Sequence, residues 1–97
     1  MKDLILHVKK EYFEQIKSGE KTEEYRAANH YWQKRIIGQQ YDSVVICCGY
    51  PKAGDDDRRI SFPWTGWSSR VITHPHFGDL PVTVFAINLM KAQEALF

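Results

Sequence analysis

The chain has few cysteines and no strong charge bias, and each of these features excludes some classes of protein. Its 97 residues contain two cysteines, Cys47 and Cys48, which are adjacent. Neighbouring residues of a strand point to opposite faces, so a disulfide or a shared metal between them is geometrically poor. We interpret both as reduced residues in or near the core. Basic residues number 13 and acidic residues 12, and this balance excludes binding to nucleic acid by bulk charge alone.

Long apolar runs and the common cofactor motifs are also missing. No run approaches the roughly 20 residues that span a membrane, and the apolar core of "MKDLILHVKK" is too short for a signal peptide. The sequence has no Gly-rich phosphate loop or dinucleotide fingerprint, and Ser68 and Ser69 lack the setting of a nucleophile elbow. We therefore expect a cytoplasmic, single-domain protein spanning residues 1–97, with no cofactor and no contact with a membrane. The sequence predicts no particular oligomeric state.

Hydrophobic periodicity and turn residues predict the element order β-α-β-α-β-β-β-β. Asn29 is the expected N-cap of the second helix, Gly19 and Gly38 follow the two helices, and Pro63 predicts an edge strand. The consecutive later strands favour an α+β fold with a mixed or antiparallel sheet curled into a small barrel. The predicted strands cover residues 4–8, 20–26, 41–50, 58–64, 66–74 and 80–89, the predicted helices residues 9–19 and 29–38, and a tail at residues 90–97 is helical or frayed.

The stretch "SGEKTEEYR", residues 18–26, concentrates charge where a helix changes into a strand. Surface charge at a corner is one interpretation. The other is a pocket in which Glu24 holds the Lys21 ammonium, while partial burial lowers the lysine pKa towards that of a base or nucleophile. Arg26, on the Glu24 face of the predicted strand, would bind that carboxylate or a phosphate.

Gly19–Arg26, "GEKTEEYR", resembles the G-x-K-x-x-E-x-R motif of the ASCH domain, a family of small PUA-like β-barrels. The preceding "YFEQIKSG" is similar to the first helix of that family, and the later segments are similar to its strand-rich half. The resemblance implies a barrel of about five to six mixed strands with two short helices packed against it. It also implies a cleft lined by Lys21, Glu24 and Arg26, facing RNA or a nucleoside- or nucleotide-like molecule.

The resemblance leaves three functions open. The first is RNA or nucleotide binding, with or without hydrolysis, in which Lys21 and Glu24 are the candidate catalytic residues. The second is hydrolysis, because some members cleave N4-acetylcytidine and at least one cleaves single-stranded RNA. The amidohydrolase members carry threonine at the Glu24 position and a later-strand glutamate, whereas the segment from Arg58 to Leu89 contains only Asp79. The third is a protein-interaction module in which Glu24 and Arg26 brace the fold.

Aromatic and basic residues form a second candidate constellation. Bases stack on aromatic faces while cations contact phosphates, although a small barrel also needs large side chains in its core. Trp32 is the expected core residue. His74 and His76 are two residues apart, but a zinc site needs three or four ligands, so we predict no metal site. Beyond Lys21 and Arg26, the predicted ligand contacts are Tyr25, Tyr50, Trp64, Trp67 and Arg70, with Tyr31, Lys34, Arg35, Lys52, Arg58 and Arg59 as nearby aromatic and cationic residues.

Overall fold

The computed structural model describes residues 2–75 and 78–90. Within these ranges it contains six strands and two α-helices, in the order that the sequence predicts. The elements are β1 (Asp3–Val8), α1 (Lys10–Ser18), β2 (Glu23–Ala27), α2 (His30–Ile36), β3 (Ser43–Cys48), β4 (Arg59–Pro63), β5 (Trp67–Ile72) and β6 (Val82–Asn88), with a 3₁₀ turn at Asp56–Arg58. The α+β prediction is confirmed, whereas the predicted tail beyond Met90 lies outside the described residues. None of the described helices is long and apolar enough to cross a membrane.

The chain divides into two compact units, each built from separated segments. The first comprises the chain up to Thr22, Gln40–Thr65 and the residues from Leu89, and the second comprises Glu23–Gln39 and Gly66–Asn88. Each unit contains one three-stranded sheet, with the orders β1-β3-β4 and β2-β6-β5. Hydrogen bonding in the described part of the chain therefore closes no barrel.

The first sheet is mixed, with β3 at its centre. Strand β1 pairs with β3 in parallel, and β4 pairs with it antiparallel. Leu6, Val44 and Ile46 are fully buried on one face, and Phe13 and Ile16 are buried on α1. β4 is an edge strand, which confirms the prediction made from its terminal proline.

Helix α1 ends in a turn, and the next strand begins only after that turn. The N–H of Gly19 donates to the carbonyl of Ile16 at 3.2 Å. Because Gly19 has φ +86°, a residue without a side chain is favoured at this position. The Lys21 N–H then donates to the Gln15 carbonyl at 3.0 Å. Because this backbone still completes the helix terminus, β2 begins at Glu23, and the prediction of a strand from residue 20 is wrong at its start.

The second sheet is antiparallel, with β6 between β2 and β5. Consecutive β6 residues, Val84 to Ile87, are buried, as expected for a central strand whose two faces are both covered. The predicted N-cap of α2 is confirmed, because the Asn29 side chain accepts a hydrogen bond from the Trp32 N–H at 3.0 Å. Ile36 is the buried residue of α2, and Trp32, predicted to be core, is half-buried.

Candidate functional site

A pocket in the first unit lies at the end of α1. Its volume is about 120 Å³, room for roughly four water molecules at about 30 Å³ each. Pockets for whole drug-sized ligands occupy at least about 300 Å³. This one therefore accommodates one edge or group of a ligand. The polar and apolar residues that line it include Lys17, Ser18, Lys21, Thr22, Phe62 and Leu89.

Lys21 lines this pocket from the turn after α1. Its Nζ lies 4.7 Å from the centroid of the Tyr12 ring, close enough for a cation–π contact. The Ser18 hydroxyl donates to the Gln15 carbonyl at 3.1 Å, which fixes the end of the helix beside it. The Leu89 N–H donates to the Thr22 carbonyl at 2.9 Å, so two segments of the pocket wall are joined. Lys21 thus occupies a helix-terminal turn, not the strand that its alternation with Tyr25 predicts.

Glu24 and Arg26 belong to the second unit and bind each other. Glu24 is 4% exposed, the one charged residue among the buried residues that the structure describes. Arg26 Nη1 donates to Glu24 Oε2 and to the Tyr25 carbonyl, the latter at 2.9 Å. The guanidinium also lies 5.4 Å from the Trp32 ring centroid. The prediction that Glu24 and Arg26 share a face of the strand is confirmed. Their ion pair is also what we expect if the two residues brace the fold.

Tyr25 and Arg70 meet at Glu23 on the other face of β2. The Tyr25 hydroxyl donates to Glu23 Oε1 at 3.2 Å, and Arg70 Nη2 donates to Glu23 Oε2 at 2.8 Å. Burial, followed by the adjacent Glu23 carboxylate, raises the pKa of Tyr25 above its ordinary value. The hydrogen bond to Glu23 raises the pKa of Arg70. Two predicted ligand contacts are therefore brought together by a carboxylate that was not a predicted site residue.

The predicted aromatic contacts do not form one cluster. Tyr50, 86% exposed, follows β3 and stacks on the His7 ring with centroids 4.2 Å apart. Trp64 follows β4, and its ring meets that of Tyr41 edge-on. Because β3 and β4 are antiparallel, Tyr50 and Trp64 lie at opposite ends of the first sheet. Neither residue lines the pocket at the end of α1.

Trp67, another predicted aromatic contact, lies in the second unit at the start of β5. Its ring contacts Phe85 edge-on, with centroids 4.9 Å apart. The two residues sit on adjacent strands, because Trp67 pairs with Ile87 and Ser69 pairs with Phe85. The two residues are thus diagonal neighbours, which aromatic side chains can bridge, and such pairs contribute to the packing of a sheet. Trp67 is nevertheless 38% exposed, so part of the indole faces solvent.

Arg59, a predicted nearby cation, stabilises a loop. Its guanidinium donates to the carbonyls of Pro51, Lys52 and Asp55 at 3.1, 2.9 and 2.9 Å. These bonds hold the segment that follows β3. Nothing in the local sequence pattern signals this role, because the acceptors are backbone groups four to eight residues earlier.

The potential metal ligands do not converge in the described residues. Residues 2–75 and 78–90 contain no group of three or more histidines, cysteines or carboxylates placed to hold a metal ion. His76, half of the predicted histidine pair, lies outside those ranges. Cys47 is buried and Cys48 is half-buried, and both are free thiols. Burial raises the pKa of the Cys47 thiol, which favours its protonated form.

Comparison with known proteins gives no relative. No family model, curated protein or solved structure matches the chain. The ASCH resemblance therefore rests on Gly19–Arg26 and the elements around it, and membership of that family stays a prediction.

Proposed function

We propose that the chain is an ASCH-type, PUA-like domain that binds RNA or a nucleotide-derived molecule. The pocket beside α1 would receive the edge of a nucleobase. One observation carries the proposal: Lys21 of the predicted motif lines a pocket that also has apolar walls at Phe62 and Leu89. The small barrel of five to six strands, with its two packed helices, belongs to the same proposal because it is implied by the motif.

The chemistry of the pocket favours a base over a phosphate. A base has apolar faces and an edge carrying both donors and acceptors, and the walls offer apolar contact at Phe62 and Leu89. The Lys21 ammonium supplies a donor. The pocket lies at the C-terminal end of α1, where the negative end of the helix dipole disfavours an anion. With about 120 Å³ available, the sugar and phosphate would remain outside.

The Glu24–Arg26 ion pair argues against Glu24 as a catalytic base, and so it favours ligand binding over hydrolysis as the function. A general base must reach the proton that it removes. The Glu24 carboxylate is instead buried and bound by Arg26 within the second unit. Its burial is accounted for without a ligand.

A second candidate, hydrolysis of an acylated nucleoside amide, is favoured by Thr22. The amidohydrolase members of the ASCH family use a lysine with a threonine, and here Thr22 lines the same pocket as Lys21. In this version Lys21 would activate water and the Thr22 hydroxyl would orient it.

Calorimetric titration with cytidine, uridine and N4-acetylcytidine tests both candidates. We expect Lys21→Ala to weaken nucleoside binding by at least about tenfold, because hydrogen bonds from charged groups contribute about 1.5–3 kcal/mol. Lys10→Ala, which removes an exposed lysine at the start of α1, is the matched control. Equal affinities for wild type and Lys21→Ala, or no binding at all, would refute the base pocket. Chromatography of the N4-acetylcytidine mixtures for released cytidine tests the hydrolytic candidate.

A further inference from the structure

Helix α2 carries an exposed aromatic and cationic surface, the α2 patch, formed by Tyr31, Lys34 and Arg35. The three residues lie three and four positions apart, so they share one face of the helix. Tyr31 is 53% exposed, and Lys34 and Arg35 are also exposed. The Arg35 guanidinium lies 3.5 Å from the Tyr31 ring centroid and donates to the Tyr31 carbonyl at 3.2 Å. A guanidinium that lies over an aromatic ring is therefore exposed to solvent.

The sequence around the α2 patch contains basic residues and no acidic ones. No aspartate or glutamate occurs between Glu24 and Asp42, although that interval contains three of the 13 basic residues. The two β2 carboxylates of the second unit are bound by Arg26 and Arg70. The other carboxylate among the described residues of this unit, Asp79, is in the β5–β6 loop. The charge of the α2 patch is thus not balanced by an acidic residue of its own helix.

We propose that the α2 patch binds single-stranded RNA, with a base stacked on the outer plane of the Tyr31–Arg35 pair and phosphates on Lys34 and Arg35. Bases stack on aromatic rings and on guanidinium planes, and cations beside such a platform meet the phosphates. An acidic peptide complements the charge but offers no repeated planar group to stack. The choice of RNA rests on the proposed function, while the observations on α2 are independent of the pocket.

Fluorescence-anisotropy titration with a labelled oligouridylate tests the α2 patch. We expect Lys34→Gln/Arg35→Gln to weaken binding at least tenfold at low salt. The slope of log K against log salt should fall in magnitude by about 1.4, because each phosphate of a single strand that the protein no longer neutralises lowers it by about 0.7. Tyr31→Leu keeps both cations, and it should weaken binding by at least about fivefold without changing the slope.

Lys9→Gln/Lys10→Gln is the matched control, because it removes two exposed lysines from the start of α1. Equal weakening by the control and the α2 variant would overturn the proposal, as would equal binding of polyglutamate. Absence of oligouridylate binding to wild type would overturn it as well.

Cytidine titration of the same variants separates this inference from the base pocket. Unchanged cytidine affinity in the α2 variants, with weakened RNA binding, supports the α2 patch. If cytidine binding is lost only in Lys21→Ala and not in the α2 variants, the result supports the base pocket. If wild type binds oligouridylate through α2 but binds no nucleoside, the pocket proposal fails and the α2 patch stands.

Discussion

Strand β2 carries two glutamate–arginine pairs on opposite faces, and they differ in burial. Glu24 is almost fully buried and is bound by Arg26 of the same strand. The side chains of Glu23 and Arg70 are 23% and 50% exposed, and the pair connects β2 to β5. Removing one partner of a buried pair leaves an uncompensated charge, whereas an exposed pair is screened by water and salt. Adjacent residues of one type therefore have different energetic roles.

The largest expected effect comes from removing the cation of the buried pair. Arg26→Met leaves the Glu24 carboxylate buried without its guanidinium and also removes the contact with Trp32. We expect the free energy of unfolding in urea to fall by about 3–5 kcal/mol. The matched Arg70→Met should have a much smaller effect. Similar losses in the two variants would show that burial does not distinguish the pairs.

Tyr25→Phe should have an intermediate effect that depends on pH. It removes a hydroxyl that donates to Glu23, so we expect a loss of about 1 kcal/mol at neutral pH. The folded-state pKa of Tyr25 is raised, so its contribution is fully present below the unfolded pKa of about 10 and is lost as pH rises through the folded pKa. Wild-type stability should therefore fall more steeply above about pH 10 than that of Tyr25→Phe. Parallel curves in chemical denaturation would contradict this expectation.

The smallest effect belongs to the exposed pair. Glu23→Gln and Arg70→Gln should each lower the melting temperature by less than about 4 °C. The difference from wild type should shrink in about 1 M NaCl, where the Debye length is about 3 Å. Calorimetric scans at low and high salt measure both quantities. A large decrease in melting temperature that does not depend on salt would show that this pair stabilises the fold as strongly as the buried pair does.

Local rules predicted two helix-capping residues and one edge strand correctly. Asn29 caps α2 with its own side chain, Gly19 ends α1 in a left-handed conformation, and Pro63 marks an edge strand. Each of these features depends on a few neighbouring residues, so the sequence contains the necessary information. The alternation from Glu23 onward likewise predicted that Glu24 and Arg26 share a face.

The site depended on pairings that no local rule supplies. Glu23 and Arg70 are 47 positions apart and meet only through the order of the second sheet. The alternation of the sequence extends back through Lys21 and so predicted a strand there, but the N–H of Lys21 completes the end of α1. Tyr50 and Trp64 were candidates for one surface, and the antiparallel pairing of β3 with β4 separates them.

The position of β6 has a consequence for how the chain folds during synthesis. All strands of the first sheet have been made once Pro63 has left the ribosome. The second sheet must wait for β6, its central strand and the last strand in the described part of the chain. At roughly 5–20 residues per second, the second sheet can therefore be completed only about 1–5 seconds after the first. Nascent chains halted before Val82 should therefore protect β1 and β3 from hydrogen exchange while β2 and β5 still exchange freely.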